Sequence, residues 1–164
     1  MTKPLVTATA LARFASLVLT AQPAAAPAVF TAAQAVAGRT AYESSCAKCH
    51  TDTLNGRDGT GEIPEFLRDY AGKIPPLAGA NSAFTPFLTK WGTKTTRALS
   101  SRVKEAVGGF PPKGLDESTY LNLTAYILQV NGARPGTQAL TADTAVEIRS
   151  ITTSAGAGAA ARVR

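Results

Sequence analysis

The chain has few of the residues that most often bind metal ions in proteins. Its 164 residues include two cysteines, one histidine and one methionine, and that methionine is Met1. A structural zinc ion normally takes four ligands, most often thiolates and imidazoles. Two cysteines and one histidine supply three, and no second cysteine or histidine pair exists to complete the set. The composition therefore argues against a structural zinc site.

Long apolar runs are also scarce. The run at 14–21 (FASLVLTA) is too short and too weakly apolar to span a bilayer. Lys3 and Arg13 come before it, and small alanine-rich cleavage sites follow at 24–28, which is typical of an export signal. We predict a signal peptide over residues 1–28, with an uncleaved anchor or an alanine-rich tail as the alternative. No cysteine follows the run, so lipid attachment there has no nucleophile.

Acidic residues are fewer than basic ones, and the formal net charge is +6. Removal of Lys3 and Arg13 with the signal would lower it from +6 to +4. A mildly basic surface favours acidic docking partners and gives no argument for nucleic acid.

Both cysteines and the single histidine occur together, as Cys46-Ala47-Lys48-Cys49-His50. The order C-x-x-C-H is that of c-type haem attachment, in which two thiols about one helical turn apart bind two vinyl groups on one porphyrin edge. The adjacent imidazole then ligates the iron. We predict one covalent haem c, held by Cys46 and Cys49, with His50 as the proximal ligand. The alternative, a redox dithiol, should follow a strand, whereas the flanking sequence is typical of helix and loop.

The remaining pattern predicts helices around one loop rich in glycine and proline, and it contains no internal repeat. The predicted elements are a helix from the Thr31 cap to Ser45, the loop 50–80 with one helical turn at 64–70, a helix from Asn81 or Ser82 that aligns Phe84, Phe87, Leu88 and Trp91, a helix from Thr95 or Thr96 to Gly108, and a helix from the Asp116 cap to Asn131-Gly132.

Over residues 36–136 the ordered motifs resemble the class I c-type cytochromes. Gly38 and Tyr42 precede the cysteine pair, Pro75-Pro76-Leu77-Ala78-Gly79 and Trp91 follow it, and the helix 120–129 before Asn131-Gly132 ends the match. That helix is most similar to those of single-haem cytochromes associated with quinoprotein alcohol dehydrogenases. The resemblance implies an all-α, cytochrome c-like bundle of about four to five helices around one covalently bound haem. We expect this domain at 29–136, with an extended or disordered tail at 137–164.

The resemblance also implies roles for individual residues. The helix with Gly38 would cross the final helix near Tyr126, because glycine permits close approach. A carbonyl of Pro75 or Pro76 would accept the second imidazole N–H of His50. Trp91 would reach a haem propionate, with ordinary core packing as the alternative.

The chain departs from this family at the second axial ligand. Relatives usually have a methionine before a Pro-Pro turn, and here Phe110 occupies that position in Gly109-Phe110-Pro111-Pro112. A phenyl ring has no donor atom for iron. The sixth position is then open, filled by water, or taken by Lys113 or Lys104, and Lys113 would have to be deprotonated to bind. The alternative for Lys113 is a solvated loop lysine.

Two functions follow as expectations. The first is an exported, periplasmic electron carrier without enzymatic activity, acting between a quinoprotein dehydrogenase and a terminal oxidase, with no stable membrane span. The second is a haem protein with an accessible iron that binds or senses NO or CO or has weak peroxidase activity. An eroded cytochrome with a purely structural haem is a third interpretation.

Overall fold

The computed structural model describes residues 26–70, 72, 74–81, 83–108 and 114–152. Residues 1–25 of the predicted signal peptide, Phe110, Lys113 and the end of the tail at 153–164 lie outside these residues. Within them the protein is all-α, and its β-type pairings are isolated bridges. The elements are α1 (Ala32–Ser45), α2 (Ala47–His50), a 3₁₀ helix (Glu65–Tyr70), α3 (Phe87–Trp91), α4 (Thr96–Gly108), α5 (Glu117–Val130) and α6 (Ile148–Ile151).

Helix α1 begins where its cap was predicted. The Thr31 hydroxyl accepts a hydrogen bond from the Gln34 backbone N–H, and the Gln34 side chain accepts one from the Thr31 N–H. This reciprocal pair satisfies N–H groups that have no partner inside the helix. The buried face of α1 consists of Ala35, Gly38 and Tyr42.

The packing of α1 on α5 forms the centre of the fold. At their crossing, a Cβ on Gly38 would overlap the backbone carbonyl of Asn122 and lie 3.0 Å from the Cβ of Tyr126. The expected close approach at Gly38 is therefore confirmed. Four residues after Gly38, the ring of Tyr42 contacts the ring of Tyr126, with their centroids 5.4 Å apart.

Helix α5 follows the prediction at both ends. Asp116 Oδ1 accepts the Thr119 N–H at 2.8 Å, which is an N-cap hydrogen bond. The buried stripe of α5 includes Tyr120, Leu123 and Ile127. The helix ends at Asn131, which is only 3% exposed.

The helix predicted from Asn81 or Ser82 is wrong in its first half. Asn81 Oδ1 accepts the N–H groups of Ala83 and Phe84, which forms a local turn, and α3 begins only after Pro86. Proline disfavours helical geometry in the residue before it, so a helix cannot readily run from Asn81 through Pro86. The helical spacing of the apolar residues therefore placed the start of this helix too early in the chain.

Much of the predicted tail belongs to the core. Leu140, Ile148 and Ile151 are at most 2% exposed, and the last two belong to α6. The buried hydroxyl of Thr96 donates to the Thr144 carbonyl at 2.7 Å. The segment 137–152, called the C-terminal strap below, is therefore packed and partly helical. Its mixed polarity, with Thr141, Asp143 and Thr144 between Leu140 and Ile148, gives no continuous helical or strand period.

None of the helices in the described ranges has the length and apolar character needed to cross a bilayer.

Candidate functional site

The C-x-x-C-H motif forms a short helix of its own. Helix α1 ends at Ser45 as predicted, and Cys46, with φ −120°, caps it and separates it from α2. The Cys46 carbonyl accepts the N–H groups of Cys49 at 3.1 Å and of His50 at 2.9 Å. These bonds bring both cysteines and His50 onto one helical turn.

The two thiols are free and partly exposed. Burial, and then the neighbouring Cys49, raise the pKa of the Cys46 thiol to about 11. A nucleophilic redox dithiol requires a lowered thiol pKa. Cys46 also lies between two helices and does not follow a strand. Both observations argue against the dithiol alternative.

His50 is oriented by the backbone of residues 74–79, called the proline segment below. Its Nδ1 lies 3.0 Å from the carbonyl oxygen of Pro75, one of the two prolines expected to supply this acceptor. A carbonyl only accepts, so Nδ1 carries the proton and Nε2 of the neutral ring keeps its lone pair. Burial lowers the pKa of His50, and the hydrogen bond to Pro75 opposes this shift. The side chain thus presents a neutral Nε2, the form in which imidazole ligates metals.

The proline segment is itself held from two sides. The Leu54 carbonyl accepts the N–H groups of Leu77 and Ala78 at 2.8 and 3.1 Å. On the other side, Asn131 Nδ2 donates to the Leu77 carbonyl at 2.8 Å. The carbonyl that orients His50 therefore depends on both the loop after the motif and the end of α5.

Gly56 allows the backbone after the motif to approach Ile74 and Pro75 closely. Its φ is +66°, and a Cβ there would overlap the Ile74 carbonyl oxygen and lie 2.6 Å from the carbonyl carbon of Pro75. Its N–H donates to the His50 carbonyl at 3.0 Å. Glycine is required because a side chain would push Pro75 away from His50.

The chain directly after His50 is anchored by Tyr42. The buried Tyr42 hydroxyl donates to the Thr51 carbonyl at 2.6 Å. Burial raises the pKa of Tyr42, so this hydroxyl stays protonated and can act as the donor. Thr51 has φ +67°, an uncommon conformation for a β-branched residue, and the bond from Tyr42 stabilises it.

Arg57 also contacts the motif. Its Nη2 donates to the Lys48 carbonyl at 3.1 Å, and its backbone N–H donates to the Ile74 carbonyl at 2.9 Å. Its Nε is buried and has no hydrogen-bond partner within the described ranges.

The structure shows packing contacts for Trp91. Its ring stacks on Phe87 with centroids 6.3 Å apart, and Lys94 Nζ lies 5.9 Å from the ring centroid. These contacts agree with the core-packing alternative, and a role toward a haem propionate stays a prediction.

The candidates for a sixth iron ligand divide into two groups. Phe110 and Lys113 lie outside the described residues. Lys104 Nζ lies 2.7 Å from Glu117 Oε2, and this hydrogen bond raises the pKa of Lys104. A lysine must lose its proton to bind iron, so the ion pair disfavours Lys104 as a ligand.

In the described part of the chain, no three side chains of His, Cys, Asp or Glu, those of the motif included, are grouped so that they alone could hold a metal ion. No known family model, curated protein or solved structure matches this chain.

The residues at the motif fit a covalently attached haem. Two free thiols on one helical turn suit two thioether bonds, and a neutral His50 with Nδ1 engaged leaves Nε2 for iron. Sequence reasoning identified Cys46, Cys49, His50 and Pro75 as candidates. It missed Arg57, because a single arginine in a glycine-rich loop carries no local signal of its contacts.

Proposed function

We propose that this chain is an exported class I c-type cytochrome that carries single electrons through one covalently bound haem. The observation that carries the proposal is the C-x-x-C-H turn together with the Nδ1 contact of His50 to Pro75. The attachment order and a preset imidazole tautomer are both what a haem ligand of this class requires.

The chain's own residues have simple roles in this proposal. Cys46 and Cys49 would each hold the haem through a thioether, formed by adding the S–H group across a vinyl double bond, so that no leaving group or oxidant would be needed. His50 would ligate the iron through Nε2. A haem held there would supply one iron that alternates between the ferric and ferrous states by gaining or losing one electron.

The proposed setting is the periplasm, because the N-terminal segment is typical of an export signal. The proposed partners are an exported quinoprotein dehydrogenase as donor and a terminal oxidase as acceptor. This assignment rests on the resemblance of the closing helix to dehydrogenase-associated cytochromes and on the basic net charge.

The direct test is to produce the full chain in a bacterial strain competent for c-type maturation. We expect a periplasmic protein whose mass exceeds that of the processed chain by one haem and whose haem resists acid–acetone extraction. Cys46→Ala and Cys49→Ala should each leave a single thioether, visible as a red-shifted pyridine haemochrome band. His50→Ala should lose the proximal ligand.

Lys48→Ala is the matched control, because Lys48 lies inside the motif, its side chain is exposed, and its carbonyl is kept. It should attach haem as the wild type does. A wild-type chain exported without covalent haem would refute the proposal. A loaded protein that exchanges no electrons with any redox partner would favour a purely structural haem.

The second candidate function is the binding of a small ligand at an accessible iron. It is favoured by composition, since the only methionine is Met1 and the only histidine is His50. Ferric and ferrous optical spectra with and without CO separate the two functions. A low-spin haem that does not bind CO has a sixth ligand from the protein, which supports electron transfer. A high-spin haem that binds CO readily supports ligand binding.

A further inference from the structure

His50 belongs to a closed ring of hydrogen bonds and covalent bonds. Starting at His50, Nδ1 contacts the Pro75 carbonyl, Ile74 precedes Pro75, and the Ile74 carbonyl accepts the Arg57 N–H. From Arg57, the guanidinium Nη2 reaches the Lys48 carbonyl, two residues before His50. Arg57 is therefore bonded both to the helix that carries His50 and to the segment that orients its ring.

The backbone and the side chain of Arg57 make separable contributions. The N–H bond to Ile74 is present whatever side chain stands at position 57, proline excepted. The bond to Lys48 depends on the side chain alone, and it engages a carbonyl of a four-residue helix. Carbonyls at helix ends lack partners within the helix, so a cationic donor there is favourable.

The guanidinium of Arg57 lies partly inside the protein beside α2. Its Nε is buried without a hydrogen-bond partner within the described ranges. A buried donor without a partner opposes folding. The bond to the Lys48 carbonyl is the contact that holds the guanidinium beside α2.

We infer that Arg57 is a positioning residue for His50, which sets the plane of the imidazole by holding α2 at a defined distance from the Ile74-Pro75 segment. The inference rests on the proposed function, because a defined ring plane matters only where Nε2 binds iron. Without the Lys48 bond, α2 keeps the Gly56 N–H bond to the His50 carbonyl but loses its second attachment to this loop, so the imidazole ring can rotate.

The test measures the plane of the imidazole by NMR of the ferric protein. In low-spin ferric haem, the order and spread of the haem-methyl resonances depend on the orientation of the axial imidazole. Cyanide is added to every sample, so that the iron is low-spin even if the sixth position is open. Arg57→Met should change the order or the spread of these resonances, while Arg57→Lys, which keeps a charged donor, should lie closer to the wild type.

The matched control is Arg68→Met, since Arg68 is an exposed arginine whose ion pair with Glu65 is confined to the 3₁₀ helix. Its methyl resonances should superimpose on those of the wild type. A merely destabilising substitution lowers the melting temperature without reordering these resonances, so the two effects are separable.

An Arg57→Met spectrum identical to that of the wild type would overturn the inference. If Arg57→Met is recovered without haem, Arg57→Gln is measured and judged by the same criterion. A wild-type chain that carries no covalent haem refutes the proposed function itself, whereas a loaded wild type with unchanged variants refutes the role of Arg57 alone.

Discussion

The Pro75 carbonyl determines which ring nitrogen of His50 is free to bind a metal. The Pro75 oxygen accepts from Nδ1, and burial keeps the ring neutral, so Nε2 is available as a lone-pair donor. The same imidazole without that contact would divide its proton between two nitrogens. The chemistry of the motif thus depends on a residue 25 positions further along the chain.

Phe110 has no donor atom for iron, so placing a donor at this position tests whether it faces the iron. Phe110→Met should give a low-spin iron with a higher reduction potential, because a thioether ligand favours the ferrous state. Optical spectra and a potentiometric titration would measure this. Lys113→Met tests whether the ligand position lies further along the same loop. An unchanged Phe110→Met spectrum would show that position 110 does not face the iron, and a low-spin Lys113→Met protein would relocate the ligand position.

Among the elements, the crossing of α1 and α5 tolerates no side chain at position 38. Gly38→Ala should lower the free energy of unfolding by roughly 1–3 kcal/mol, since its Cβ would overlap the Asn122 carbonyl and the helices would have to separate. Urea denaturation at equal haem content measures the change. Ala37→Ser enlarges an exposed neighbour and should stay within about 0.5 kcal/mol of the wild type. A Gly38→Ala protein as stable as the wild type would contradict the close crossing.

The N-cap of α5 makes stability depend on pH. Hydrogen bonds from the Ser118 hydroxyl and then from the Thr119 N–H and hydroxyl hold the pKa of Asp116 below its ordinary value of 3.8. A carboxyl whose pKa is depressed by folding contributes stability above its unfolded pKa, and loses it as the pH falls through the folded pKa. The stabilisation by Asp116 should therefore decline from about pH 4 downward.

Asp116→Asn isolates this effect, because asparagine keeps an acceptor oxygen but does not titrate. The melting-temperature difference between wild type and Asp116→Asn should shrink as the pH falls below about 4. Asp143→Asn, at a fully exposed carboxylate outside any helix, is the control. A difference that stays constant with pH would show that the cap does not depend on the charge.

On the scale of the whole molecule, the C-terminal strap closes the core. Leu140, Ile148 and Ile151 are buried against the helices, and burial of each is worth about 1.5–3 kcal/mol. Backbone bonds attach the strap between α3 and α4, as from Ile148 N–H to the Lys94 carbonyl at 2.9 Å. A small domain has only about 5–15 kcal/mol of stability in total.

Deletion of 137–164 should therefore leave a chain that unfolds at or near room temperature, measured by circular dichroism and by the yield of haem-loaded protein. Deletion of 153–164 keeps every strap residue named above and should melt close to the full chain. A stable protein without 137–164 would show that the strap is dispensable and that the domain ends near 136.

Local signals in the sequence were sufficient for α1, α4 and α5, because the Thr31, Thr95 and Asp116 caps lie within a few residues of the N–H groups that they bind. The attachment motif is equally local, since all five of its residues lie on one turn. Gly38 was recognised through the resemblance, and the structure supplies its physical reason in the Asn122 backbone.

The contacts that depend on packing were decided by the tertiary structure. Among them are the choice of Pro75 over Pro76 as the partner of His50, the link of Arg57 to Lys48, and the burial of the strap. Each joins residues that no helical or strand period relates, so their meeting depends on how the loop and the end of the chain fold back onto α1 and α5. Secondary structure and the attachment motif are local properties of the amino-acid order, whereas the orientation of His50 is a long-range one.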